Sequence, residues 1–386
     1  MTNNFSTHTD VQFAHQQMVS DYQANDQQSL SILESLSIGV GQTETQYDNL
    51  THRSAKALYA AEEWCRRGYK IFLGSYLFKS DVAEYFAARY KIIEFNIGKP
   101  LSDEEFNNLC MQLRGAMVVI NSNELLSAAN LQMLQKLYLR CCDTLFICWF
   151  FDNHHMIKHG ASLSLCLDLI YPAHFDNIHI LTRYCPFIRS VLPAGVISWT
   201  IPQAVKLEPL LYKRDRSVML SGSYYHYEKF SHRNHILSQI MKQSVGSGLR
   251  FMNGETPGHY WQLSFNEQWS QWCESKCNII VPTLADLPIR FFDALITGNI
   301  PLLPESIRYT VSCYRTDEIN ALPVVWYSHS DIDHFEDVVN YACSLFDKTG
   351  LKGIANRHRW VIKNHMCEHR LESIIDDVFL LVDAGR

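Results

Sequence analysis

Short segments that are apolar throughout alternate with segments of helical periodicity in the first half of the chain. The predicted strands are residues 69–73, 91–95, 116–120 and 145–151, and the predicted helices are 52–67, 81–90, 103–113 and 125–140. Strands with no polar face lie in parallel sheets that helices cover on both sides. The pattern therefore predicts a doubly wound α/β domain.

A second series with the same alternation follows. Its predicted strands are residues 217–222, 249–252, 277–281 and 300–303, and its predicted helices are 233–244, 260–275 and 289–297. Residues 202–216 have no clear period and carry several charges, which predicts a linker between the two series. Ligands of such folds bind at the carboxyl ends of the strands, so we expect the active site in a cleft between the two halves.

These observations predict four regions. They are a loosely ordered N-terminal extension over 1–50, an N-terminal Rossmann-like domain over 51–205, a C-terminal Rossmann-like domain over 206–355, and a C-terminal helix over 356–386 that can cross back to the N-terminal domain. The chain has 386 residues, and 47% of them are hydrophobic, which is enough to build two cores.

Charge and composition narrow the classes of partner. The net charge is −6, and the 34 basic residues are mixed with 40 acidic ones, so no basic stripe indicates a nucleic-acid site. We expect a cytoplasmic protein, because neither a signal peptide nor a membrane-spanning segment is recognisable, although a peripheral contact with the inner face of the membrane stays open. The 12 cysteines are scattered and lack metal-site spacing, which indicates reduced, buried thiols.

The most informative stretch is Val281–Ser306, which runs from the end of a predicted strand through a polar loop and a short helix to the next strand. Amide groups at a helix start and the guanidinium of Arg290 suit a diphosphate. The carboxylate of Asp293 suits the two hydroxyls of a ribose. Gly298 is expected to end the helix. Alternatively, Arg290 and Asp293 form a surface pair one helical turn apart, as in many α/β proteins.

The segment RFFDALITGNIPLL within this stretch resembles the signature of glycosyltransferases with the GT-B fold, in particular their CgeB-like branch. Two further segments are similar to that branch. Val218–Gly222 resembles the first strand and glycine turn of the donor domain, and Arg233 opens the next helix. Residues 359–372 resemble the C-terminal helix of the branch. The resemblance covers the chain from about residue 145 onward.

The resemblance implies two Rossmann-like domains that face each other across a cleft. It implies transfer of a sugar from a nucleotide-diphosphate sugar, with no metal or other cofactor, to a hydroxyl of a surface polysaccharide, a lipid-linked glycan or a protein. The expected donor-binding residues are Gly222, Ser223, Arg233, Thr283, Arg290 and Asp293. Many retaining members carry glutamates at the positions of Ala285 and Asp293, so the alanine leaves the stereochemical outcome open.

The first half offers candidates for the acceptor side. Asp152 and His154 directly follow a predicted strand, and in an inverting mechanism either one is a candidate base for the acceptor hydroxyl. Alternatively, they belong to a solvated loop that lines the cleft. Gly74 and Ser75 follow the first strand and are weaker candidates for acceptor contact.

Other functions compete with this hypothesis. A catalytically silent sugar-binding or scaffold protein would keep the same fold, and Ala285 gives that alternative some weight. A nicotinamide-dependent dehydrogenase is disfavoured, because no GxGxxG follows an early strand. Asp331 and Asp333 have the DxD spacing of metal-dependent glycosyltransferases, but Ser330 precedes them at a predicted helix start, which favours a capping role.

Overall fold

The computed structural model describes residues 56–58, 70–151, 163, 166–173, 199–220, 233–244, 250–251, 265–283, 286–308, 310 and 322–384. The chain divides into two compact units, of which the first comprises Met1–Ala194 and Glu372–Arg386 and the second Gly195–Leu371. The predicted extension over 1–50 lies outside the described residues. Of the predicted helix over 52–67, residues 56–58 are described and are helical.

The first unit contains a five-stranded parallel sheet in the order β2-β1-β3-β4-β5. Its elements are β1 Lys70–Gly74, α1 Ser80–Phe86, β2 Lys91–Phe95, α2 Asp103–Leu113, β3 Met117–Asn121, a 3₁₀ turn Ser122–Leu125, α3 Ala128–Arg140, β4 Leu145–Trp149 and β5 Leu169–Tyr171. The α/β prediction is confirmed, and the four predicted strands begin and end within two residues of the observed ones. The short strand β5 was not predicted.

Every residue of β3 and β4 is buried, as strands without a polar face require. Helix α2 shows how local signals set a boundary. The Ser102 hydroxyl accepts a hydrogen bond from the Glu105 amide at 3.3 Å, and the Glu105 carboxylate accepts one from the Ser102 amide at 2.9 Å. This capping box satisfies amides that the first helical turn leaves without partners.

The second unit contains a five-stranded parallel sheet in the order β10-β9-β8-β6-β7. Its elements are α4 Ile201–Val205, β6 Arg216–Leu220, α5 Arg233–Ser244, β7 Arg250–Phe251, α6 Phe265–Cys273, β8 Ser275–Ile279, α7 Arg290–Ile296, β9 Ile300–Pro304, 3₁₀ turns at Glu305–Ile307 and Ser330–His334, β10 Val325–Tyr327 and α8 Phe335–Asn364. The last helix, α9 Cys367–Ala384, begins in this unit and continues in the first. Numbered within each unit, both sheets have the strand order 2-1-3-4-5. The chain therefore contains the same doubly wound topology twice.

The predicted linker over 202–216 belongs to the second unit, where Ala204 and Leu207 are part of the hydrophobic core. Helix α4 begins at a capping box in which the Thr200 hydroxyl accepts a hydrogen bond from the Gln203 amide. Its first apolar residues face the core. A helix of five residues is too short to show a helical pattern of apolar positions in the sequence, so it was not predicted.

Helix α7 is buried along its length from Phe291 to Ile296. It ends where the amide of Gly298 donates to Leu295 and that of Asn299 donates to Ala294, at 3.0 and 2.7 Å. This is a Schellman motif, and it requires the positive φ of 78° at Gly298. The prediction that Gly298 ends the helix is confirmed.

The last residues of the chain pack in the first unit. Glu372 accepts hydrogen bonds from Arg89 at 2.6 Å and from the Tyr85 hydroxyl at 2.9 Å. Asp377 accepts one from the Tyr171 hydroxyl at 3.0 Å. Helix α9 thus starts among residues of the second unit, and from Glu372 onward it belongs to the first.

Candidate functional site

The second sheet has its topological switch point between β6 and β8, because the chain leaves β6 towards β7 on one side and returns to β8 on the other. Leu220 and Ile279, the last residues of these strands, are register partners. The carboxyl ends of both strands therefore lie side by side. Ligands of doubly wound sheets bind in the crevice outside such a point.

Arg233 is the first residue of α5, the helix that follows β6, and its side chain reaches this edge. Its Nε donates to the Val281 carbonyl oxygen at 2.7 Å, and the residue is 1% exposed. The neighbouring Ile280 carbonyl accepts a hydrogen bond from the Tyr327 hydroxyl at 3.1 Å, and burial raises the pKa of that phenol well above its usual range. Two buried side chains thus fix the start of the loop that follows β8.

This loop contains Thr283, a predicted donor residue, which is half-buried. The Thr283 carbonyl oxygen accepts a hydrogen bond from the Asp286 amide at 3.1 Å, which holds these two residues close together. Asp286 is buried. The structure therefore brings Arg233 and Thr283 to the same edge of the sheet.

Arg290 opens α7, and Asp293 follows one turn later. The Asp293 carboxylate is buried, and its Oδ1 accepts a hydrogen bond from the indole Nε1 of Trp199 at 2.5 Å. Burial raises the pKa of Asp293 to about 7, while the Trp199 hydrogen bond and the charge of Arg290 oppose this shift. The carboxyl group consequently exchanges its proton near neutral pH.

The contact with Trp199 qualifies the predicted ribose role of Asp293. A carboxylate oxygen accepts more than one hydrogen bond, so a ribose hydroxyl would share Oδ1 with the indole, bind to Oδ2 or displace the indole. The ring of Trp199 lies 4.4 Å from that of Trp269, so the indole is held on a second side as well. Nothing in the local sequence pattern links Trp199 to a residue 94 positions away, so the sequence reasoning missed it.

The first sheet has an equivalent switch point between β1 and β3. Gly74 ends β1, and a side chain there would overlap the carboxylate of Glu124, which lies just after β3. Burial raises the pKa of Glu124, whereas hydrogen bonds from the backbone amides of Asn121, Tyr76 and Ser75 oppose the shift. The Ser75 hydroxyl donates to the Glu94 carboxylate at 2.8 Å.

The switch point of the first sheet therefore carries a titratable carboxylate that was not predicted. Glu124 serves in a capping box, with its Oε1 accepting from the Asn121 amide at 3.3 Å. The sequence signal for this carboxylate is weak: Gly74 ends one strand, and the acidic residue Glu124 follows the strand beside it. Ser75, which was predicted as an acceptor contact, is exposed at this edge.

Four predicted site residues lie outside the described residues, namely Asp152, His154, Gly222 and Ser223. The described range 70–151 ends at Phe151, the residue before Asp152. The Phe151 amide donates a hydrogen bond to the Ser122 hydroxyl at 3.2 Å. Ser122 follows β3. The described part of this segment therefore stays at the carboxyl edge of the first sheet up to Phe151.

The DxD spacing corresponds to a turn. Oδ2 of Asp331 accepts hydrogen bonds from the Ser328 amide at 2.6 Å and the Ser328 hydroxyl at 2.7 Å, and these bonds lower the pKa of Asp331. The residue lies in a 3₁₀ turn that leads into α8. Within the described ranges, no three His, Cys, Asp or Glu side chains are grouped to hold a metal ion.

No protein-family model matches this chain, and no curated protein matches it significantly. Among the described helices, none is both long enough and apolar enough to cross a membrane.

Proposed function

We propose that this chain is a metal-independent glycosyltransferase of the GT-B type that uses a nucleotide-diphosphate sugar as donor. The observation that carries the proposal is the switch point of the second sheet. There Arg233, Thr283 and the loop leading to Arg290 and Asp293 follow the two central strands, at the edge where doubly wound sheets bind nucleotides.

The chemistry of this edge supports a diphosphate ligand. Helix α5 has 12 residues, and its first amide groups favour negative charge at the switch point. The guanidinium of Arg233 adds positive charge at this edge, and Arg290 stands at the start of α7, beyond the loop that follows β8. Asp293 supplies an oxygen acceptor for a ribose hydroxyl.

The acceptor would bind at the carboxyl edge of the first sheet. Asp152 and His154 remain the proposed bases for the acceptor hydroxyl. Glu124 is an additional candidate, because it lies at this edge and burial raises its pKa above the usual value. The acceptor classes are a surface polysaccharide, a lipid-linked glycan or a protein.

A second function is favoured by two observations. The Asp293 carboxylate is buried against Trp199, and Ala285 stands where retaining enzymes carry a glutamate. A catalytically silent sugar-binding or scaffold protein would tolerate both features. It would bind the nucleotide sugar but would not release the nucleotide by transfer.

A thermal-shift screen with UDP, GDP, CMP, TDP and ADP tests the proposal, because a ligand that binds only the folded chain raises its melting temperature. One nucleotide should stabilise the wild type, with or without EDTA, and should fail to stabilise Asp293→Ala. Asp331→Asn is the matched control, and its response should equal that of the wild type. A response that EDTA removes would contradict metal independence.

The same nucleotide then separates the two functions. An enzyme should release it from the corresponding nucleotide sugar in the presence of a cell extract that contains acceptors, and Asp293→Ala should abolish this release. Binding of the nucleotide sugar without any release would favour the silent scaffold. A folded protein that responds to none of the nucleotides would refute the donor site.

A further inference from the structure

An exposed surface of the second unit combines leucine side chains with cations. Leu210 and Leu211 are 46% and 76% exposed, and Val205 is 59% exposed. Soluble domains seldom leave large aliphatic side chains open to this extent within one short segment. The segment 205–211 therefore presents apolar area that the second unit itself does not cover.

The second half of α8 lies beside this segment. Residues 207–211 and the α8 residues Ala355, His358, Arg359 and Ile362 together line one open pocket of about 430 Å³. The four helix residues stand at the spacing i, i+3, i+4 and i+7, so they share one helix face. Leu351, which is 67% exposed, lies four residues before Ala355 and extends this face by one turn.

Charge is distributed unevenly around the pocket. The chain carries a net charge of −6, yet it has no Asp or Glu between Asp347 and Glu368. Lys352 and Arg359 are exposed on α8, and Lys206 is exposed on the neighbouring segment. Glu208 is the acidic residue that lines the pocket. Among the described residues, Arg359 and Glu208 line the pocket itself, and Lys206 and Lys352 are exposed on the two elements that form it.

We propose that this surface, defined by Val205, Leu210, Leu211, Leu351, Lys352 and Arg359, docks onto an anionic lipid bilayer. Interfacial helices bind membranes through two contributions. Leucine side chains enter the region between headgroups and acyl chains, and flanking Lys and Arg side chains contact the lipid phosphates. The exposed leucines and the exposed Lys and Arg beside them correspond to these two contributions. The docking is independent of the function proposed above.

Flotation of the full chain with lipid vesicles tests the proposal. In about 0.1 M salt the protein should float with phosphatidylcholine vesicles that contain about a third phosphatidylglycerol, and it should remain unbound with pure phosphatidylcholine. Higher salt should weaken the binding, because it screens the exposed charges.

Two variants isolate the surface. Lys352→Glu with Arg359→Glu should lower the vesicle partition coefficient at least tenfold, since each cation near an anionic surface contributes roughly fivefold. Leu210→Ser with Leu211→Ser should lower it by a similar factor while the salt dependence remains. All four positions are exposed, so the melting temperatures should stay close to that of the wild type.

Matched controls come from the first unit. Lys136→Glu with Arg140→Glu makes the same change in net charge on exposed positions of α3, and Met111→Ser with Leu139→Ser removes side chains that are 63% and 56% exposed. Both should bind vesicles like the wild type. Equal losses in the controls, or equal binding to neutral and anionic vesicles, would overturn the proposal. So would an oligomer that Leu210→Ser with Leu211→Ser disperses, because the surface would then join two copies of the chain.

Discussion

Replacing Asp293 by Asn keeps the shape of the side chain and an oxygen that can accept the Trp199 hydrogen bond, but it removes the negative charge. In the wild type that charge is buried, and the pKa of Asp293 rises from an ordinary 3.8 to about 7. At about 1.4 kcal/mol for each pH unit, this rise corresponds to about 4 kcal/mol of stability lost once the carboxyl is ionised.

The sign follows from the protons bound in each state. Between pH 4 and 7 the folded chain keeps a proton on Asp293 that the unfolded chain has released, so the free energy of unfolding falls as the pH rises through this window. Above about pH 8 the loss is complete. The neutral amide in Asp293→Asn carries no such penalty at any pH, so this variant should be more stable than the wild type at pH 8 by about 2 to 4 kcal/mol.

Urea unfolding of both proteins at pH 4.5 and at pH 8 measures this difference, because other titrating groups cancel between them. At pH 4.5, where the unfolded carboxyl is already mostly ionised but the folded one is not, the advantage of Asp293→Asn should shrink to about 1 kcal/mol. The same variant should lose nucleotide binding if the carboxylate contacts the ribose. A stability difference that is equal at the two pH values would refute the buried, weakly acidic state of Asp293.

Three further predictions concern packing, and urea unfolding midpoints measure each of them. Gly298→Ala should lower the free energy of unfolding by about 2 to 4 kcal/mol, because the φ of 78° strains any other residue and the new Cβ would lie 2.5 Å from Ile354 Cγ2. Gly350→Ala is the control: its φ is 53°, but no atom lies within 4 Å of the new Cβ, so it should lose less stability. Gly74→Ala should lower the free energy of unfolding by roughly 1 to 3 kcal/mol, because its Cβ would overlap the Glu124 carboxylate. Adding Glu124→Ala to the same chain should recover most of that loss. Additive losses would contradict the overlap. Arg214→Met should lower the free energy of unfolding by roughly 3 to 5 kcal/mol, because the guanidinium donates hydrogen bonds to Ser275, Asn299, Pro209 and Thr297. The neighbouring Lys213→Met should leave the midpoint unchanged. Similar midpoints in both variants would contradict the role of Arg214.

Local signals in the sequence were sufficient for the α/β alternation. Apolar runs such as Met117–Asn121 have no polar face, so a buried parallel strand is the structure that accommodates them. The end of α7 was predictable as well, because Gly298 adopts a backbone conformation that other residues resist. Helix Arg233–Ser244 was predicted with the boundaries that the structure has.

Features that depend on contacts distant in sequence were not predictable. The strand order of each sheet, the short strands Leu169–Tyr171 and Val325–Tyr327, and the core position of Ala204 depend on where other elements pack. The same holds for the candidate site. Arg290 and Asp293 were found from their loop and helix, but the hydrogen bond from Trp199 and the raised pKa of Asp293 come from burial in three dimensions.

Hydrogen exchange of the full chain with saturating nucleotide tests the central proposal most directly, because it locates the ligand on the fold. With the nucleotide that stabilises the protein most, we expect slower exchange in peptides that cover residues 280–293 and the start of helix Arg233–Ser244, and no such change in Asp293→Ala. Protection confined to the first unit, or no protection by any of the five nucleotides, would contradict a donor site at the carboxyl edge of the second sheet.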